Sequence, residues 1–174
     1  MSDLTALPHA LDTKARTCRA VIECSQGARG KYAFDPELQA FTLKRLLPAG
    51  MSFPLDFGFV PATKAEDGDP LDIMVLHDEP LPMGVVVEVR LIGVIEAEQT
   101  EDGETKRNDR ILAVAKDSLS YAATKTTGDL APGFLDTVTS FWTQYEALRG
   151  VGFKILGVKS ASEAARRITQ TSQG

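Results

Sequence analysis

Cysteine is scarce in this chain. Cys18 and Cys24 are the only two in 174 residues. They make no disulfide framework, and their spacing is not that of a zinc site. Two reduced thiols of a cytoplasmic protein are expected instead. Positive charge is in deficit as well: 19 Lys and Arg stand against 24 Asp and Glu, a formal net charge of −5. A protein built to grip nucleic acid or an anionic membrane needs a basic face, so both classes are disfavoured. Long apolar runs are missing, and no stretch approaches the roughly 18 consecutive apolar residues of a membrane helix. The first residues carry Asp3, Pro8 and Asp12 and no apolar h-region, unlike a secretory leader. Internal repeats and low-complexity tracts are absent too. What is present is ordinary for a globular chain, 43% hydrophobic and 25% charged residues. That suffices for one domain with a proper core. A weakly patterned arm is expected over 1–17, followed by a single domain over 18–174.

The hydrophobic period changes along the chain. Arg19–Cys24 reads as a strand carrying one acid, Glu23, among apolar neighbours. Lys31–Phe34 and Ala40–Leu43 read as a strand pair turning at Asp35-Pro36. The stretch from Leu47 to Leu71 is rich in Pro and Gly but also holds Phe53, Phe57 and Phe59, which predicts a packed functional loop rather than a linker. Ile73–Leu76, Val85–Glu98 and Ile111–Ala115 read as strands, with a charged loop over Thr100–Asp109. Phe134, Leu135, Val138, Phe141, Trp142, Tyr145 and Leu148 recur at helical steps, between Pro132 and Gly150. Phe153–Val158 reads as a last strand. Ser160 or Ser162 can cap a final helix through Ile168, and Glu163, three residues after Ser160, fits a capping box. Many short strands followed by two helices point to an α+β, mainly β fold, a small barrel.

The densest chemical signal is Asp67-Gly68-Asp69-Pro70-Leu71-Asp72. Its three carboxylates are costly to hold together unless a cation neutralises them. Hard cations such as Mg²⁺ take oxygen ligands of this kind. The plain alternative is a charged surface turn, since Asp, Gly and Pro are turn residues. An EF-hand does not fit, because its sixth and twelfth positions would be Asp72 and Asp78. Upstream stand cations in apolar surroundings, Lys31 and Arg45; downstream come Glu101-Asp102-Gly103-Glu104, Asn108 and Arg110. Carboxylates for metals with Lys and Arg for phosphate oxygens are the components of phosphoryl transfer. Each alone is more often a solvated charge, and Tyr145 lies on an apolar helix stripe. Glu23 is harder to dismiss, because a partly buried acid needs a partner.

These motifs, taken in order, resemble the soluble family I inorganic pyrophosphatases. The resemblance is carried by Val21-Ile22-Glu23, Lys31-Tyr32, Lys44-Arg45, Phe53-Pro54-Leu55-Asp56-Phe57-Gly58-Phe59 and the aspartate hexapeptide, then Gly93-Val94, Ile111–Val114 and the Phe141–Tyr145 helix. It implies a distorted five-stranded OB-like barrel with two C-terminal helices packed outside. It implies hydrolysis of diphosphate to two orthophosphates with Mg²⁺, Mn²⁺ being a possible replacement. Asp67 and Asp72 would hold metal, joined by Glu101, Asp102 and Asn108. Asp69 would be the catalytic base, and Glu23, counted as catalytic too, would sit at the cavity rim near a further metal or its waters. Lys31, Arg45, Arg110 and Tyr145 would bind substrate. A homo-oligomer is implied, a hexamer in bacterial members.

The chain also departs from the family pattern. Ala33 stands where an acid is usual, and Phe53, Phe57 and Phe59 stand where tyrosines are typical. Asn108 replaces a metal-binding Asp and Arg110 a Lys, across what reads as a two-residue insertion near Lys106-Arg107. Asp109 is a candidate for the lost carboxylate. Glu146 replaces a Lys, and an anion there is expected to repel substrate. Two further readings follow: a weakened relative that binds phosphate, metal or a protein partner, or one acting on another phosphoanhydride. An oligonucleotide-binding barrel is a weaker third, disfavoured by the acidic charge.

Overall fold

A computed structural model describes residues 2–173. Nine strands and two α-helices follow in order: β1 Thr17–Cys24, β2 Gly30–Asp35, β3 Ala40–Leu46, β4 Asp56–Val60, β5 Leu71–Leu76, β6 Val86–Glu101, β7 Glu104–Arg107, β8 Arg110–Ala115, α1 Phe134–Leu148, β9 Gly152–Ser160 and α2 Ala161–Thr171. Among the described residues no helix is long and apolar enough to cross a membrane.

Five strands close a ring. β1 pairs with β4, β4 with β5, β5 with β8, β8 with β6, and β6 returns to β1. Only the β5–β8 pair is parallel. Both of its strands are buried on both faces, which is why Ile73–Leu76 and Ile111–Ala115 read as unbroken apolar runs. Ile73, Val75, Ile111 and Ala113 join a core completed by Ala164, Ala165 and Ile168 of α2. Met74, Leu76, Leu112 and Val114 point the other way and pack with Val138, Trp142 and Tyr145 of α1. The mainly β barrel with outer helices is therefore the fold expected from the sequence.

Two strands were hidden within predicted loops. β4 occupies part of the Pro- and Gly-rich stretch, and β7 part of the charged loop. β4 disguises itself with Gly58, which sits opposite Ile22 of β1. A β-carbon there would lie 1.8 Å from the Val21 carbonyl oxygen, so only glycine lets the strands approach. The end of α1 and the start of α2 match their signals, while α2 runs on to Thr171, three residues past the expected Ile168. Gly150 follows α1 at φ 71°, and the Ser160 hydroxyl accepts from the Glu163 amide at 3.3 Å.

Two irregularities aim side chains at one end of the barrel. β1 slips register between Ile22 and Cys24, leaving Glu23 in a bulge. The β2–β3 hairpin slips between Lys31 and Tyr32. Bulges commonly redirect side chains beside functional sites.

Candidate active site

A cavity of about 1210 Å³ opens between the β2–β3 hairpin, the loop before β5, the β6–β7 hairpin and the end of α1. All eleven residues expected at the site line it: Glu23, Lys31, Arg45, Asp67, Asp69, Asp72, Glu101, Asp102, Asn108, Arg110 and Tyr145.

One wall is cationic. Lys31 and Arg45 face each other across the β2–β3 ladder. Like charges directly opposite destabilise a sheet, a cost that an anion between them would relieve. Lys31 is held in place from below. Its ammonium lies 3.4 Å from the Glu23 carboxylate and 4.3 Å above the Phe57 ring. Glu23 is buried, and its other oxygen accepts from the Phe34 amide at 2.8 Å. Burial raises the Glu23 pKa, while Lys31 and the Phe34 amide pull it back.

The facing wall is anionic. The Asp67 carboxylate accepts from the Asp69 amide at 3.1 Å, an Asx turn with Gly68 at φ 92° behind it. Thr63 ties the loop off: its hydroxyl donates to the Val60 carbonyl at 2.6 Å and accepts from the Leu71 amide at 2.9 Å. Both ends of the described chain brace the same loop. The Ala62 amide donates to the Thr5 carbonyl, the Gln173 amide to the Ala62 carbonyl, and the Lys64 amide to the Thr171 carbonyl. Asp69 is left exposed at the tip, and Asp72 lies deeper, opposite Arg110 in register. Burial pushes the Asp72 carboxyl up to about 7, against the attraction of Arg110 and Lys31.

The floor is an ion-pair chain. Arg110 is 2% exposed, its guanidinium 4.0 Å from the Trp142 ring centre and 4.6 Å from that of Phe153. It lies 3.8 Å from Asp72 and 3.3 Å from Glu146. Glu146 is equally buried, and its second oxygen lies 2.6 Å from Arg149. Glu146 is thus no bare anion repelling a substrate, contrary to the expectation from the sequence. Two arginines neutralise it. Tyr145 lies near both Arg45 and Arg149, whose guanidinium carbons are 5.8 and 6.0 Å from its ring centre.

The β6–β7 side differs from the sequence expectation. Glu101 and Asp102 sit on an exposed hairpin tip, Asp102 at φ 51°, and line only the mouth. Asp109 does not replace the missing carboxylate. It is buried outside the cavity, where it accepts from the Ala97 amide at 3.0 Å and pairs with Arg107 at 2.9 Å and Arg167 at 3.1 Å. The inner wall is instead an amide pair, with the Asn108 side-chain amide donating to the Gln99 side-chain carbonyl. Sequence reasoning passed over Gln99 because its partner lies across the hairpin. It also passed over Arg149, one helical turn beyond Tyr145.

The acidic wall fits a divalent metal ion by its chemistry. Among the described residues no three acidic, His or Cys side chains converge closely enough to enclose one unaided. Yet burial holds Asp72 and Glu23 above the usual carboxylate range, a cost that a cation relieves. A hard cation that keeps several waters spans a spread carboxylate set.

Comparison with known proteins identifies relatives of the whole chain. The family model described as inorganic pyrophosphatase matches residues 20–174. Inorganic pyrophosphatase from Nostoc sp. is 37% identical over 169 residues, 97% of this chain and 96% of that one. The Thermus thermophilus protein of the same name is 35% identical over 171 residues, 97% of this chain and 95% of that one. Its crystal structure superposes with a TM-score of 0.83 at 34% identity, covering 95% of this chain and 96% of that one. That of the Neisseria gonorrhoeae inorganic pyrophosphatase gives 0.88 at 30% identity, covering 97% and 96%.

Proposed function

The chain belongs to the inorganic pyrophosphatase family, and on that premise we propose how its own residues perform the reaction. The chain hydrolyses diphosphate to two orthophosphates with a divalent metal. The observation that carries the assignment of roles is the opposition of two walls. Lys31 and Arg45 face Asp67, Asp69 and Asp72 across one cavity. A diphosphate presents anionic oxygens to the first wall and shares cations with the second.

Lys31 and Arg45 bind phosphate oxygens, and the Tyr145 hydroxyl donates to another. Arg110, fixed at the floor, adds positive charge from beneath. Mg²⁺, or Mn²⁺ in its place, would be held by Asp67 and Asp72, with Asn108 offering an amide oxygen and Glu101 and Asp102 acting from the mouth. Such a metal lowers the pKa of water and offsets phosphate charge. Asp67 and Asp69 are both exposed on this wall, but the Asp67 carboxylate is engaged by the Asp69 amide, so Asp69 is assigned the proton of the attacking water. Glu23, buried beneath Lys31 rather than at the rim, holds that lysine in place.

A cytoplasmic location accords with the free Cys18 and Cys24. A homo-oligomer, a hexamer by family resemblance, is testable by light scattering. The roles are tested by phosphate release from diphosphate with Mg²⁺ and then Mn²⁺, beside Asp69→Asn. The expected outcome is metal-dependent release that the variant loses. Equal release by both proteins would remove Asp69 from the mechanism.

A further inference from the structure

Arg149 closes α1 with its backbone still helical, at φ −89° and ψ −1°. Its side chain lines the cavity and is 28% exposed. One guanidinium nitrogen is fixed 2.6 Å from Glu146. That carboxylate is buried, and its other oxygen is engaged by the equally buried Arg110. Arg110 in turn lies beside Asp72. Charges therefore alternate along one line, Asp72, Arg110, Glu146, Arg149, and of its two cations the last is the solvent-open one, 28% exposed against 3% for Arg110. A buried carboxylate is an expensive way to tether a surface arginine unless the arginine's position matters. Arg45 stands near the same Tyr145 ring, so two guanidinium groups lie within 6.0 Å of one phenol ring centre.

We propose that Arg149 is a substrate-binding residue that grips one phosphate of the diphosphate, and that Glu146 is the residue that positions it. This rests on the pyrophosphatase assignment and extends it. The competing role is structural: Arg149 would serve only to neutralise Glu146. Planar guanidinium groups suit phosphate oxygens, and fixing one in advance lowers the entropy cost of binding. Glu146 thus turns a reversed charge at its own position into a fixed cation one turn later.

A double-variant cycle separates the two roles. Four proteins are compared: wild type, Arg149→Ala, Glu146→Gln and the double variant Glu146→Gln/Arg149→Ala. Two readouts are used: kcat and KM for diphosphate, and calorimetric affinity for methylenediphosphonate, a non-hydrolysable diphosphate analogue, with Mg²⁺ present. Loss of Arg149 should raise KM and weaken the analogue by roughly 10- to 100-fold, the range of a charged hydrogen bond, with a smaller change in kcat. The double variant should stay as weak as Arg149→Ala, while Arg149→Lys should recover part of the affinity. Glu146→Gln should weaken binding less than Arg149→Ala does. Recovery of wild-type affinity in the double variant would overturn the proposal, because Arg149 would then only neutralise Glu146. Unchanged affinity in Arg149→Ala would overturn it too, as would a wild-type chain that binds no analogue. Should the wild type bind the analogue yet release no phosphate, the pyrophosphatase assignment fails and the binding cycle still decides the role of Arg149.

Discussion

Asp72→Asn is expected to make the metal-free protein more stable at neutral pH while weakening its response to Mg²⁺. The folded chain holds the Asp72 carboxyl at about 7, raised from 3.8. A carboxyl raised in this way is more costly to ionise folded than unfolded. Below about pH 4 it is protonated in both states and costs nothing. As pH rises towards 7, the unfolded chain ionises freely and the folded chain does not, so stability falls by about 1.4 kcal/mol per pH unit. Across the whole interval that is at most ~4 kcal/mol. A quarter of the side chain remains open to solvent, which reduces the figure to about 1–3 kcal/mol. Asparagine keeps the shape without the charge. Melting is followed in chelator at pH 4.5 and 7.5 for both proteins. For a chain of this length the variant should melt about 3–10 °C higher at pH 7.5, and the gap should shrink at pH 4.5. Added Mg²⁺ should raise the wild type more than the variant, since a ligand stabilises in proportion to its affinity for the fold. A variant that melts at or below wild type at pH 7.5 without metal would refute the reasoning, as would a gap of equal size at both pH values.

Three other outcomes follow from the geometry. Gly58→Ala would place a methyl group 1.8 Å from the Val21 carbonyl oxygen, so β1 and β4 must part; a loss of about 3 kcal/mol or more is expected in urea unfolding. Asn108→Asp restores one negative charge beside Gln99 and should tighten Mn²⁺ binding about 5- to 30-fold by calorimetry, the equivalent of ~1–2 kcal/mol at the cavity wall. Tyr145→Phe should lower kcat/KM by roughly 10- to 100-fold with no change in melting temperature, because the hydroxyl is assigned to substrate rather than to the fold.

The parts of the site that a sequence displays are those whose chemistry is local. Asp67, Asp69 and Asp72 lie on one turn and a strand start, and no distant residue is needed to bring them together. Glu23 is visible as an acid inside an apolar strand, although the bulge that aims it depends on β4 pairing with β1. α1 announces its own ends. What stayed hidden depends on partners far along the chain. Gln99 matters through Asn108, across a hairpin whose length obscures the register. Asp109 looked available until Arg167 of α2 and the Ala97 amide were seen to hold it. Glu146 looked repulsive because its neutralising partners come from β8 and from the next helical turn. β4 escaped because two phenylalanines around a glycine resemble a loop until Val21 explains the glycine.

The placement of Trp142 has a practical consequence. It is the chain's one tryptophan, and it forms the back of the cavity floor. Its ring lies 4.0 Å from the Arg110 guanidinium and 4.9 Å from the Phe57 ring centre, and its indole N–H points to the Met74 sulfur at 3.0 Å. Arg110 is also the group beside Asp72, so charge arriving at the carboxylates alters the field on the indole through a single intermediary. The intrinsic emission of this protein is therefore a built-in optical signal from the catalytic floor. Cation loading, anion capture and refolding of the cavity can all be timed by light from one residue, without a label.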